Sequence, residues 1–113
     1  MRGEGRRFSH GRCLVPASWF YEFTGSRSPK SKWRFALTNG EWMCIAGLWR
    51  PTDAGDRFTM LTCPPGPDVE PIHNRQVVVL DRHDWAEWLD PTASPERLLR
   101  PSPAETLAVE RVR

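Results

Sequence analysis

The sequence predicts an α+β domain built on a curled, mostly antiparallel, barrel-like β-sheet with one or two short helices. Three observations lead to this prediction. Short β-prone segments recur along the chain between turn-forming stretches. Eleven prolines and eight glycines in 113 residues leave little room for long helices. Apolar residues make up 39% of the chain, which is enough for the core of one small domain.

Six segments have the composition of strands, because they are rich in β-branched and aromatic residues and are bounded by turn formers. They lie at 12–16, 17–23, 33–37, 42–49, 57–63 and 76–80. The first two are separated or bent at Pro16, whose ring removes a backbone donor. The stretch 64–73 holds four prolines and is predicted to be irregular.

Turns and a loose N-terminus complete the strand-rich part of the prediction. Residues 1–11 are rich in Gly and Arg without periodicity, so we expect a flexible basic arm before a domain at 12–113. A polar loop is predicted at 24–32 and a turn at 50–56. Asn-Gly in the stretch 38–41 is the strongest short signal for a β-hairpin, so the strands on either side are expected to pair.

Helices are predicted only near the C-terminus. In 82–90, Trp85, Trp88 and Leu89 recur at i, i+3 and i+4, which predicts a helix that buries these three side chains. A second short helix is predicted at 94–99, where a serine and a proline occupy the N-cap and first helical positions. The remaining residues are expected to end in a final strand, with or without a helical turn before it.

The charge of the chain is unevenly distributed. Residues 1–34 hold eight basic and two acidic residues, whereas the rest of the chain holds eight basic and twelve acidic residues. Fourteen of the sixteen basic residues are Arg, which binds phosphate in a bidentate manner and stacks on bases. A nucleic-acid partner and a genome with Arg-rich codon usage would both give these counts, so charge alone does not identify a nucleic-acid binder.

Several classes of protein are disfavoured by the sequence. Three cysteines without paired spacing do not indicate a disulfide framework, and His10 and Cys13 give the only suggestive metal-ligand spacing, so we predict no metal. No apolar run is long enough to span a membrane, and no signal peptide is recognisable. Nucleotide-cradling glycine loops are also absent from the sequence, so no cofactor is predicted. We expect a cytoplasmic protein.

Glu22 is an unusual residue because it lies in an aromatic-rich strand. Alternation places Trp19, Tyr21 and Phe23 on one face and Glu22 on the other face beside Phe20, so both faces are expected to be covered. A carboxyl group there loses hydration and its pKa rises unless it is paired, which suits proton transfer. The alternative is a strand end exposed to solvent or an ordinary ion pair with Arg.

His73 and Trp33 are the other candidates that the residues themselves suggest. His73 ends a proline-rich loop just before a strand, which is where binding and catalytic residues concentrate, although a lone His is more often structural. Trp33 lies between Lys32 and Arg34, so it is a candidate for stacking on unpaired bases. Packing in the core is the alternative for Trp33.

Taken together, five segments resemble the SOS response associated peptidase (SRAP) family in order and approximate spacing. They are RCLVPASWFYEF at 12–23, WMCIAGLW at 42–49, FTMLT at 58–62, PIHNRQVVVL at 71–80 and WAEWLD at 85–90. The resemblance covers about 12–99, most of the chain. It implies an α+β fold around a curled sheet.

The resemblance also implies a function in the DNA-damage (SOS) response. Members of the family bind single-stranded DNA and junctions that contain abasic sites, and an N-terminal cysteine captures the opened sugar as a thiazolidine. The peptidase name refers mainly to the self-processing that uncovers this cysteine. Matched by motif, the supporting glutamate and histidine are Glu22 and His73, and a DNA-contacting position is Thr62. We add Trp33 and three arginines as predicted DNA contacts: Arg12, Arg34 and Arg75.

The chain departs from the family pattern at its start. Residue 2 is Arg, no cysteine precedes Cys13, and neither Asn39 nor Asn74 lies in the context of the family's asparagine. We therefore expect a truncated domain that binds abasic single-stranded DNA without crosslinking it. Two alternatives remain open: a non-catalytic protein-interaction module, or a small acid/base hydrolase or lyase that uses Glu22 and His73. The sequence does not indicate an oligomeric state.

Overall fold

The computed structural model describes residues 11–113, so most of the predicted basic arm lies outside the described residues. The described chain forms nine strands and two short helical segments. The strands are β1 (Arg12–Ala17), β2 (Phe20–Thr24), β3 (Ser31–Leu37), β4 (Met43–Thr52), β5 (Gly55–Met60), β6 (Thr62–Cys63), β7 (Gln76–Val77), β8 (Val79–Leu80) and β9 (Leu107–Arg111). A 3-10 turn (Arg82–Asp84) leads directly into α1 (Trp85–Leu89). The predicted α+β class with mostly antiparallel strands is confirmed.

The strands of the described region form three antiparallel sheets and do not close into a barrel. In the first sheet β4 pairs with β1 along one edge, while β8 and then β5 occupy the other edge. The second sheet has the order β2-β3-β9, and β6 pairs with β7 in a short third sheet. This arrangement places β2, which carries Glu22, at the edge of the second sheet.

The turn at Asn39 and Gly40 is present, but the hairpin predicted around it is wrong. Gly40 has a φ of 80° and its N–H bonds to the carbonyl of Leu37, as expected of a tight turn. However, β3 and β4 do not pair, because β2 and β9 flank β3 while β1, β5 and β8 flank β4. A turn formed by Asp53 and Ala54 joins β4 to β5, so the strands extend into the stretch predicted as a turn.

Two clusters of buried side chains form the core. The first contains Phe20 and Phe35, whose rings stack at 5.0 Å, together with Ile45 and Val69. The second is centred on Trp88, whose indole N–H donates to the carbonyl of Cys13 at 2.9 Å. Burial of large aromatic side chains dominates the stability of a domain of this size.

The C-terminal region is less helical than predicted. In α1, Trp88 is buried and Trp85 is half-buried, but Leu89 is exposed because the helix ends at this residue. The helix predicted at 94–99 is replaced by turns. The Ser94 hydroxyl bonds to the Glu96 carboxylate, and no bond from Ser94 to the backbone of the following turn is formed, so the expected N-cap is not made. The predicted final strand is confirmed as β9.

The loop that carries His73 is anchored from both sides. The Asp68 carboxylate accepts hydrogen bonds from the backbone N–H groups of Glu105, Thr106 and Leu107, at 2.9–3.1 Å. The buried Gln76 side chain accepts a bond from the N–H of Gly66 at 2.8 Å. These contacts fasten an otherwise irregular, proline-rich segment to β7 and β9. Among residues 11–113, no helix has the length and hydropathy needed to cross a lipid bilayer.

Candidate functional site

Glu22 lies on the inward side of β2. It is directly opposite Trp33 of β3, and its side chain is 19% exposed. Phe20 lies on the same side and is buried, whereas Tyr21 and Phe23 on the opposite side are exposed. The prediction that both faces of this strand are covered is therefore wrong. Burial raises the pKa of Glu22, and the nearby His73 lowers it by a smaller amount.

His73 contacts Glu22 through its outer ring nitrogen. The distance between His73 Nε2 and Glu22 Oε1 is 3.4 Å. On the other side of the ring, Nδ1 lies 3.0 Å from the carbonyl oxygen of Arg75 and 3.3 Å from the Arg75 N–H. The backbone of the loop therefore fixes the orientation of the imidazole. In the Nδ1–H tautomer the ring donates to the Arg75 carbonyl and leaves Nε2 facing the carboxyl group, whereas in the other tautomer Nδ1 accepts from the Arg75 N–H.

With Nδ1 protonated, Glu22 and His73 can share one proton. The proton is held either by a neutral carboxyl group that donates to Nε2, or by an imidazolium that donates to the carboxylate. Burial raises the pKa of Glu22, which favours the neutral carboxyl group more than water does. Such a pair can donate a proton at one atom and accept one at the other, which is the requirement for general acid–base chemistry.

Thr62 and Arg75 extend the site along the surface. The guanidinium of Arg75 donates to the hydroxyl of Thr62 at 2.9 Å, and both side chains are exposed. Since the backbone of Arg75 also holds the ring of His73, the hydroxyl, the guanidinium and the imidazole form one connected group. The structure thus connects four of the residues predicted from the sequence: Glu22, His73, Thr62 and Arg75.

Arg12 is not part of this group, and its predicted role in DNA binding stays a prediction. Its guanidinium donates to the carbonyls of Trp88 at 3.2 Å, Asp90 at 2.8 Å and Ala93 at 2.8 Å. The guanidinium also lies over the Trp88 ring, 5.0 Å from its centroid, and the residue is only 9% exposed. Arg12 therefore ties β1 to the end of α1, and its donors are engaged there.

Trp33 and Arg34 lie on opposite faces of β3. Trp33 is half-buried against the first core cluster, and its indole N–H donates to Thr24 Oγ1 at 3.0 Å, so the packing alternative describes it better than base stacking. Arg34 lies on the outer face, where it forms an ion pair with Glu110. Arg34 therefore does not extend the Glu22–His73 group, whereas Trp33 lies directly opposite Glu22 on the inward face.

Metal and thiol chemistry have little support in the described part of the chain. No group of three or more potential metal ligands occurs among residues 11–113, and His10 lies outside this range. Cys13, Cys44 and Cys63 are free thiols, and burial raises the pKa of each. A raised pKa makes a thiol less reactive, because the thiolate is the nucleophile.

Comparisons with known proteins agree on one family. The model of the SOS response associated peptidase (SRAP) family matches residues 5–113. The abasic site processing protein YoqW of Bacillus subtilis strain 168 is 30% identical over 112 residues, which cover 89% of this chain and 50% of that protein. Its relative YobE from the same organism is 33% identical over 87 residues, covering 71% of this chain and 39% of that protein. The chain spans about half the length of the curated relatives that it matches.

Solved structures show the same likeness. A protein from Bordetella bronchiseptica is 30% identical with a TM-score of 0.77, and the match covers 96% of this chain and 58% of that one. A protein from Bacteroides thetaiotaomicron has a TM-score of 0.82 at 19% identity, over 96% of this chain and 52% of that one. At that identity the second likeness concerns the fold alone.

Proposed function

The chain belongs to the SOS response associated peptidase (SRAP) family, and from that premise we propose that it binds single-stranded DNA that contains an abasic site. The observation that carries this proposal is the contact of 3.4 Å between Glu22 and His73 beside the exposed Arg75. A protein-interaction module does not require an acid and a base to meet in this way. The naming of relatives as abasic site processing proteins adds support.

The abasic sugar explains why an acid–base pair is useful at this position. Without a base, C1′ carries a hydroxyl group, and the ring opens to an aldehyde when that hydroxyl loses its proton and the ring oxygen gains one. In our proposal His73 donates a proton to the ring oxygen while the Glu22 carboxylate accepts the proton of the C1′ hydroxyl. The C1′–O4′ bond breaks and the proton count of the pair is unchanged. The sugar must then occupy the space beside the two side chains.

Arg75 and Thr62 are proposed to hold the phosphate next to the lesion. A guanidinium has five N–H donors in a fixed plane, and it binds phosphate more strongly than a neutral group does. The bond from Arg75 to Thr62 orients this plane before DNA arrives. Binding should weaken as salt rises, because each neutralised phosphate releases counterions.

A binding experiment tests this proposal. A labelled 15-nucleotide single strand with one uracil is measured by fluorescence anisotropy before and after uracil-DNA glycosylase makes the abasic site. We expect tighter binding to the abasic strand, and we expect Glu22→Gln and His73→Gln to abolish the preference. Glu70→Gln is the matched control, because this exposed acid lies in the same loop as His73. Equal affinity of the wild-type protein for the two strands would refute the proposal.

The same samples test the lyase alternative. An acid–base pair that shares one proton is also suited to elimination at an abasic sugar, in which the strand breaks on the 3′ side of the lesion. Denaturing electrophoresis of the abasic strand after incubation separates the two functions. Shortened strands with the wild-type protein, and intact strands with His73→Gln, would assign a lyase instead of a binding protein.

A further inference from the structure

A row of exposed aromatic side chains lies on the side of β2 that faces away from Glu22. Trp19, Tyr21 and Phe23 are 44%, 37% and 43% exposed. Tyr21 and Phe23 alternate with the inward-facing Phe20 and Glu22, so they occupy one face of the β2-β3-β9 sheet, and Trp19 lies immediately before the strand. We call this surface the outer aromatic face. A contiguous patch of exposed aromatic residues often marks a binding surface, whereas hydrophobic residues that are exposed singly are normal in any protein.

A cation lies over each of these rings. The Lys32 ammonium lies 4.0 Å from the centroid of Tyr21 and 5.9 Å from that of Phe23. The Arg34 guanidinium lies 5.0 Å from the centroid of Trp19, although Arg34 is directly opposite Tyr21 in the sheet. Two neighbouring strands therefore supply parallel rows, one of aromatic rings and one of positive charges. Arg113 adds a further cation 5.9 Å from Phe23.

We propose that the outer aromatic face is a second binding site, which takes undamaged single-stranded nucleic acid without reading its sequence. Every base has a flat face that can stack on an aromatic ring, and a row of cations follows the phosphates. This site goes beyond the proposed function, because it needs neither an abasic lesion nor the Glu22–His73 pair. It lies on the opposite side of the strand from that pair.

The spacing of the rings selects single strands over duplexes. Residues two apart on an antiparallel strand are about 6.8 Å from each other. This is about twice the ~3.4 Å rise per nucleotide along one strand of a duplex. Successive bases can reach successive rings only if they are unstacked from one another and the strand is extended. In a duplex the faces of the bases are stacked on one another, and the rise per nucleotide does not match the spacing of the rings. Only the phosphates of a duplex can therefore contact this surface.

The aromatic row also favours nucleic acid over an acidic peptide. An acidic peptide would pair with Lys32 and Arg34, but carboxylates gain nothing from three adjacent ring faces, whose electron-rich surface repels anions. A strand of nucleotides uses both rows at once, because it brings bases and phosphates in alternation.

The test is the affinity of an undamaged, labelled thymidine 15-mer, measured by fluorescence anisotropy at low salt. Trp19→Ala and Tyr21→Ala are each expected to weaken binding by at least about five-fold, from the loss of one stacked base. Tyr21→Phe keeps the ring and should bind as the wild type does. Trp49→Ala is the matched control, because Trp49 is equally exposed but lies on β4, in another sheet.

The results separate this site from its alternatives. Wild-type affinity in both alanine variants, or an equal loss in Trp49→Ala, would overturn the proposal. If the two alanine variants lose affinity for a poly-glutamate peptide but keep wild-type affinity for the 15-mer, the face would be assigned to an acidic protein instead. As a second measure, Lys32→Gln should reduce the slope of log affinity against log salt by about one, since one phosphate contact is removed.

The proposed function can fail independently of this one. Glu70→Gln, which lies in neither site, is expected to leave the affinity for the undamaged 15-mer unchanged, while Trp19→Ala is expected to lower affinity for damaged and undamaged strands alike. If the abasic preference is missing but Trp19→Ala still weakens binding to the 15-mer, only the proposed function is refuted. If the preference is present and Trp19→Ala has no effect, only the second site is refuted.

Discussion

Replacing Arg12 with alanine is expected to destabilise the domain by about 4 kcal/mol. The Arg12 guanidinium donates to the carbonyls of Trp88, Asp90 and Ala93. A hydrogen bond from a charged donor contributes roughly 1.5–3 kcal/mol to stability. When the donor is removed, a buried carbonyl that cannot bind water stays unpaired, and the domain loses this whole contribution. The Trp88 bond is buried, so we assign it about 2 kcal/mol. The other two carbonyls are partly exposed and can bind water, so we assign about 1 kcal/mol to each of those bonds.

Urea unfolding followed by circular dichroism measures this loss directly. For a chain of this length, 4 kcal/mol corresponds to a fall in Tm of about 15 °C. Arg12→Lys keeps the charge but cannot span three carbonyls, so it should fall between the alanine variant and the wild type. Arg100→Ala is the control, because Arg100 is exposed. The reasoning is refuted if Arg12→Ala unfolds within 1 kcal/mol of the wild type, or if the folded variant loses DNA affinity.

Three further predictions concern Glu22 and the loop that carries His73. Glu22→Gln should raise the stability of the domain at pH 8 but not near pH 4. The pKa of Glu22 is raised in the folded state, so ionising this carboxyl group destabilises the folded protein. That destabilisation is fully present above the folded-state pKa and absent below the unfolded-state pKa. Asp68→Ala should cost about 2–3 kcal/mol and speed hydrogen exchange at Leu107, since three N–H groups lose their acceptor. Gly66→Ala should destabilise the loop, because its Cβ would lie 2.5 Å from the carbonyl oxygen of Ser102.

Each of these predictions has an outcome that contradicts it. Equal stabilisation by Glu22→Gln at both pH values would mean that ionisation is not the cause. For Asp68→Ala, unchanged exchange at Leu107 would show that the carboxylate does not hold β9. A Gly66→Ala protein as stable as the wild type would show that the backbone near Ser102 moves to accept a methyl group. Glu70→Ala is a suitable control for the loop, since Glu70 is exposed.

The positions of strands were predictable because the composition of a strand is a local property. The pairing of the strands was not predictable, because it depends on which strands compete for the same edge of a neighbouring strand. Asn39 and Gly40 do form a turn, yet β3 pairs with β9, whose residues lie far along the chain. The helix predicted at 94–99 failed for a similar reason, since the Ser94 side chain bonds to Glu96 instead of capping a helix.

The candidate site shows the same division. Glu22 and His73 were proposed as site residues through the family resemblance, but their contact depends on a loop held by Asp68 and Gln76, which no local pattern reveals. Arg12 looked like a phosphate ligand because an arginine that binds carbonyls and one that binds phosphate are identical in sequence. The outer aromatic face was missed because alternation in β2 assigns residues to faces without saying which face is covered.

The pairing of β3 with β9 has a consequence for how the chain folds during synthesis. Leu37 lies opposite Leu107, so β3 keeps one edge open until the last strand has left the ribosome. At roughly 5–20 residues per second, that wait lasts about 4–14 s. From its own synthesis until the end of this interval, the carboxylate of Asp68 lacks the N–H groups of Glu105, Thr106 and Leu107. The histidine loop is therefore secured late, and a nascent chain stalled before residue 107 would have its sheet edge exposed to chaperones and proteases.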